Sequence, residues 1–265
     1  ARRKGMEFGL WFGPDSTDDA VYWNKDADFL LSLHRTLGVN YFKLDSMRTI
    51  TPLALERQTK LMNRLIDESD AKITIDLDVT AGVRPGYYGF PRVGPVFVEN
   101  RYIKPRDSRL WWPHLTLRNF WSLAHAVDPV RLRMEVLNPT RRPDLYPAND
   151  PLAPSKWPIE TIFAISMFAS PLGWFEIQNL PTDVVSAWKP LIEKWKKERE
   201  AIHAGYVYPV GSRPDGISWT GFVFEPRKEG APGYVLLFRE LNENAKFDFG
   251  NLVPAVKQVQ VLAGE

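Results

Sequence analysis

The chain has 265 residues, enough for one large domain or two small ones. Its 34 Lys and Arg against 32 Asp and Glu leave a net charge of +2, so no global field draws it to nucleic acid or to an anionic membrane. A content of 44% hydrophobic and 25% charged residues excludes disordered, collagen-like and low-complexity classes.

Cysteine is absent, which removes disulfides, thiolate nucleophiles, Cys-ligated zinc and iron–sulfur clusters together. The four histidines, His34, His114, His125 and His203, are too widely spaced for a His-rich metal centre. No cofactor is expected. No apolar run reaches the roughly 18 residues a spanning helix needs. The opening ARRKGMEFGLWF has no long apolar core of a secretory signal. Localisation is not fixed by these features; the composition leans to an extracytoplasmic or secreted protein. Ten Trp, nine Tyr and 22 Pro point to shaped loops and flat, polar-tipped side chains suited to sugars.

Along the first 200 residues, short β-like runs alternate with helical stretches. Residues 6–12 (MEFGLWF) predict a strand, and a helix is expected from about Asp18 to Leu37, stopped by Gly38. The next strand is 39–44 (VNYFKL). Thr51-Pro52 is an N-cap followed by Pro in the first turn, opening a helix to about Glu68. Strands are then expected at 72–79 (KITIDLDV), 95–99 (PVFVE), 131–137 (RLRMEVL) and 173–178 (GWFEIQ). Helices are expected at 114–127, 158–169 and 182–203, the last kinked or restarted at Pro190.

Strands separated by helices imply parallel βα units, and six of them fit part of a (β/α)8 barrel. No GxGxxG or P-loop is present. After Gly205 only strand-like runs occur, at 206–210, 217–225, 234–240, 246–249 and 257–262. The expected organisation is a partial barrel over residues 1–204 and an incomplete antiparallel, sandwich-type β domain over 205–265. The chain reads as a piece of a longer protein that lacks its first two barrel strands.

Strands of a parallel barrel are buried on both faces and read as apolar runs. Here acids stand near their C-terminal ends: Asp45, Asp76, Asp78, Glu99, Glu135 and Glu176. Period two puts Lys43 and Asp45 on one face, opposite Phe42 and Leu44. Thr74, Asp76 and Asp78 share a face opposite Ile73, Ile75 and Leu77, and Phe97 and Glu99 one opposite Val96 and Val98. The apolar sets are expected against the outer helices, the acids at the mouth where barrel enzymes do chemistry. Lys43, Arg84, Arg101 and Arg133 are the cations available to balance them. Two chemistries use such a cluster: glycoside hydrolysis by a pair of carboxyls, and metal-assisted enolisation with three acids on successive strands. A sugar-binding fragment without turnover, or a partner of another chain that completes the barrel, is a third reading.

The blocks Gly9-Leu-Trp-Phe12 with Pro14, Gly38 to Asp45, Ala81-Gly-Val-Arg84 and Phe97-Val-Glu-Asn100 resemble, in that order, the α-galactosidases of glycoside hydrolase family 36. Glu99-Asn-Arg-Tyr102, Leu117-Arg-Asn-Phe-Trp121 and Glu135-Val-Leu-Asn138 resemble a bacterial melibiase-like branch. The resemblance implies a retaining α-glycosidase with Asp45 as nucleophile and Glu99 as acid/base. It implies Lys43 on a sugar hydroxyl and Trp11 and Arg84 in the subsite of an oligosaccharide or glycoside; Asp76, Asp78, Arg101 and Glu135, from the strand-end charges, are further candidate substrate-binding residues. Three positions depart from the family pattern: Met47 stands where Asn is usual, Asp78 where a Cys is frequent, and Glu99 where Asp is usual.

Overall fold

The computed structural model of the protein describes residues 2–79, 87, 89–90, 92–98, 100, 110–248 and 260–261. It divides into two compact units, residues 1–98 and 99–265.

The first unit is built on strands β1 (Gly9–Phe12), β2 (Tyr41–Leu44), β3 (Thr74–Asp78) and β4 (Val96–Val98), with helices α1 (Trp23–Leu37) and α2 (Pro52–Asp67). The strands pair in chain order, all parallel: Trp11 lies opposite Lys43, Lys43 opposite Asp76, and Asp78 opposite Phe97. Phe42, Leu44, Ile75, Leu77 and Val96 form one buried cluster with Ala27, Leu30, Leu31, Leu61, Met62 and Leu65 of the two helices. The period-two assignment of faces therefore holds for β2 and β3, while Glu99 lies outside the described residues.

Both helix ends expected from Gly38 and Thr51 are present. Gly38 is left-handed (φ 64°), and its N–H bonds the carbonyl of His34. The Thr51 hydroxyl accepts the N–H of Ala54, with Pro52 in the first turn. Helix α1 starts later than Asp18, because Asp18, Asp19 and Ala20 all have positive φ (44°, 58° and 60°). For L-residues each such conformation costs about 1–2 kcal/mol. The turn is held from α2: Arg57 donates to the carbonyls of Asp18 and Asp19, and the Thr51 hydroxyl donates to Asp19 Oδ1 at 2.7 Å.

The second unit carries β5 (Leu132–Val136) and β6 (Ser170–Gly173) as a parallel pair, with α3 (Pro113–Leu123), α4 (Ile159–Ala164) and α5 (Thr182–His203). A separate antiparallel sheet follows, β7 (Gly205–Gly211), β8 (Thr220–Pro226) and β9 (Tyr234–Phe238). Its inner face packs on the helices. Phe120 of α3 stacks on Phe222 at 4.2 Å, and the indole of Trp121 donates to the carbonyl of Val210. From α5, Glu198 accepts the hydroxyl of Tyr234 at 2.6 Å.

Four expectations are corrected here. The sixth strand lies at Ser170–Gly173 rather than 173–178. The aromatic run Trp174-Phe175 faces a core with Trp188, and Glu176 precedes a 3-10 turn rather than ending a strand. Helix α5 runs through Pro190 without restarting, because packing of Val184, Trp188 and Leu191 outweighs the one backbone bond that Pro forfeits. Helix α4 is six residues long, its tail drawn into turns that bury Ile165 and Phe168. Residues 246–248 form no strand; an Asn244 turn takes the N–H of Lys246. The run 257–262 lies outside the described residues except 260–261. Among the described residues the C-terminal region is one three-stranded sheet.

Trp111 and Trp112 anchor helix packing. The buried Trp111 bonds Thr116, and Trp112 donates to Asp150 at 2.8 Å. Beside them His114 has its Nδ1 enclosed, and burial, aided by the Arg118 charge, pulls its pKa down from 6.5 to about 4. Because the folded value is depressed, protonation favours the unfolded chain. Stability is expected to fall as pH drops from 6.5 towards 4, and His114→Gln should flatten that slope in urea titrations at pH 4.5 and 7.5. Thr51→Ala, which removes both the cap and the Asp19 bond, should lower stability by about 1–2 kcal/mol in thermal or urea unfolding.

Candidate functional site

The inner face of the first unit is polar where a parallel sheet is ordinarily apolar. Side chains on β2 reach diagonally, one step towards the C-terminal end of β3. Tyr41, opposite Thr74, donates its hydroxyl to Asp76 Oδ2 at 2.5 Å. Lys43, opposite Asp76, pairs instead with Asp78 Oδ2 at 2.7 Å. Its ammonium also lies 4.5 Å from the centre of the Phe97 ring, a cation–π contact. Asp76 and Asp78 are each 2% exposed, so these are desolvated charges held by direct partners.

Asp45 follows the last residue of β2, and its N–H continues the ladder by bonding the carbonyl of Phe12 at 3.0 Å. Its carboxylate accepts the Trp11 indole N–H on Oδ2 at 3.1 Å and the Ser46 N–H on Oδ1 at 2.5 Å. Ser46 itself is left-handed (φ 59°), so the chain turns sharply directly after the carboxylate. The next residue, Met47, is buried, and its carbonyl is fixed by the hydroxyl of Tyr87 at 2.8 Å. The chain after Asp45 is thus pinned within two residues. Trp11 is 61% exposed, so its ring is an open face beside the carboxylate rather than core.

In the second unit Glu135 is buried on β5, and its Oε1 accepts the N–H of Asn100 at 2.7 Å. Asn119 of α3 bonds the Asn100 side chain. Arg133 lines a hollow of about 530 Å³ with Ser170, Trp195, Arg199 and His203, which shares no residue with the carboxylate cluster. Glu99, Arg84 and Arg101 lie outside the described residues. The structure therefore brings Trp11, Lys43, Asp45, Asp76 and Asp78 together in one unit. Among the described residues no group of three His, Asp or Glu side chains has the arrangement of metal ligands, and no helix is long and apolar enough to cross a membrane.

Sequence reasoning passed over Tyr41, Ser46 and the Asn100–Asn119 pair. Tyr41 was accessible to it, because period two places it two residues before Lys43 on the same face.

Acids and a lysine thus line the inner face of successive parallel strands, near their C-terminal ends. In fold the chain matches the family 36 glycoside hydrolases. A variant of α-galactosidase AgaA from Geobacillus stearothermophilus, in complex with raffinose, superposes with a TM-score of 0.64 at 12% identity, over 87% of this chain and 38% of that one. α-Galactosidase AgaB of the same organism gives 0.61 at 13% identity, over 88% and 38%. The galactosidase domain of the α-galactosidase–sucrose kinase AgaSK gives 0.58 at 11% identity, over 87% and 37%. This chain thus spans less than two fifths of the length of these structures. No protein-family model and no curated protein sequence matches it.

The Lys43–Asp78 pair makes the site's contribution to folding testable. Removing one partner of a buried pair strands the other charge, at about 3–5 kcal/mol. Asp78→Ala should lower urea-unfolding stability by about that amount, and Lys43→Met/Asp78→Leu by much less.

Proposed function

We propose that the polypeptide is a retaining α-glycosidase of the α-galactosidase type, its six parallel strands forming part of a (β/α)8 barrel. The observation that carries this reading is Asp45: a carboxylate at the end of a parallel strand, oriented by hydrogen bonds from the exposed Trp11 indole and the Ser46 N–H, two residues after Lys43 in the chain. The match in fold to α-galactosidases supports it.

In this reading the Asp45 carboxylate attacks the anomeric carbon while Glu99 gives its proton to the departing glycosidic oxygen. The bond to the leaving group breaks as the ester bond to Asp45 forms. Glu99, now ionised, takes a proton from water, whose oxygen displaces Asp45 and releases the sugar. Two inversions at one carbon give net retention. The indole and the Ser46 N–H fix the angle of attack, which matters because productive geometry tolerates little displacement. Trp11 offers a face for the sugar ring, Lys43 a charged donor for a hydroxyl, and Arg84 and Arg101 further donors. Asp76 and Asp78 supply acceptors on the same face. Glu135 holds the backbone of Asn100, the residue after Glu99.

The substrates to try are raffinose and stachyose, which the AgaA structures hold. Proton NMR of the first product should show the α anomer; the β anomer released first would recast Asp45 as a base acting through water. In the complete polypeptide, Asp45→Ala should cut kcat by about 10⁴-fold or more with an unchanged circular dichroism spectrum. Residual activity within tenfold of wild type removes Asp45 from the chemistry. Binding of the sugars without turnover by the wild type would favour the non-catalytic reading.

A further inference from the structure

We propose that Tyr41 is a positioning residue for this site: its hydroxyl occupies Asp76 and so leaves the Lys43 ammonium to Asp78, beside Asp45. This rests on the reading above, in which Lys43 faces the sugar.

The argument starts from the register. Lys43 and Asp76 are direct cross-strand partners, so the shortest ion pair available to Lys43 is with Asp76. Yet Lys43 bonds Asp78, two residues further on, at 2.7 Å. A buried carboxylate such as Asp76 takes donors, and the Tyr41 hydroxyl is one, at 2.5 Å along the parallel diagonal. Each β2 side chain is thereby displaced one step towards the C-terminal end of β3. Lys43 ends over the Phe97 ring, level with the end of the sheet where Asp45 begins.

A third strand makes room for this. Gly9 of β1 lies opposite Tyr41, and a Cβ there would stand 2.7 Å from Tyr41 Cδ1 and 3.1 Å from Tyr41 Cβ. The ring stands upright only because that position has no side chain. Gly9, Tyr41, Asp76, Lys43 and Asp78 thus form a chain of dependence across three strands, ending at the cation beside Asp45.

The test is Tyr41→Phe, which removes one oxygen and keeps the ring. A crystal structure of the variant is expected to show Lys43 Nζ moved onto Asp76 and away from Asp78. In the complete polypeptide the KM for raffinose should rise about tenfold or more, the scale of a lost charge-assisted hydrogen bond, with kcat within about threefold. The double variant Tyr41→Phe/Asp76→Asn removes the competing charge and should return Lys43 to Asp78. Gly9→Ala, which displaces the ring while keeping the hydroxyl, is the second route should Tyr41→Phe fail to fold, with the same shift of Lys43 expected. Lys43 remaining on Asp78 with the Tyr41–Asp76 bond broken, in whichever variant folds, overturns the proposal. So does a fall in Tm with KM unchanged. If the wild type turns over no glycoside, the glycosidase reading fails, and the Lys43 position in the variants still decides the role of Tyr41.

Discussion

The ion pair between Lys43 and Asp78 governs the first unit. Two charges almost shut off from water each carry a desolvation penalty of several kcal/mol, offset only when the partner is held in good geometry. That requirement reaches outward. It fixes the register of β2 against β3, since a slip by one residue would turn Lys43 towards the helices and Phe42 towards the acids. It depends on α1 and α2 burying the apolar face completely, because the sheet needs that burial to hold the polar face in place. It also accounts for the aromatic ring beneath the ammonium, a surface that accepts a cation without competing for its protons.

Much of this was legible in the chain, for a simple reason. Strands that bury both faces are apolar throughout, so alternation of charge with Ile and Leu in ITIDLD marks an inner face with a task. The caps at Gly38 and Thr51 were readable because each is a local event within four residues. What was hidden is of a different kind. The sixth strand was displaced by three residues because Ser170-Pro171 has the composition of a turn, while the aromatic run after it belongs to a core assembled from α5. Pro190 suggested a break that the packing of Trp188 and Leu191 overrides. The diagonal pairing of Tyr41 and Lys43 with β3 could not be read at all. Period two tells which side chains share a face, not which of two neighbours each will choose.

Identity of 10–13% to structures of the same fold fits this division. A parallel βα fold needs apolar residues on the helix-facing sides and tolerates almost any that fill the volume. The inner face has less freedom, because Tyr41 is matched to Asp76 by a hydrogen bond and Lys43 to Asp78 by charge. Where Asp78 replaces the frequent Cys, the change is accompanied by a salt bridge to Lys43.

The left-handed turn at Asp18–Ala20 bears on how the first unit opens. One hydroxyl, that of Thr51, both caps α2 and ties the strained turn that leads into α1. Fraying of the first turn of α2 therefore removes one tie on the turn, leaving those from Arg57, and the strain of three unfavourable backbone conformations then favours opening. The two segments are coupled into a single opening unit. The starts of α1 and α2, more than 25 residues apart in the chain, are thus linked through one hydroxyl. The loop between β2 and α2 is thus held at both ends, by its own bonds beside Asp45 and by the shared hydroxyl at Thr51.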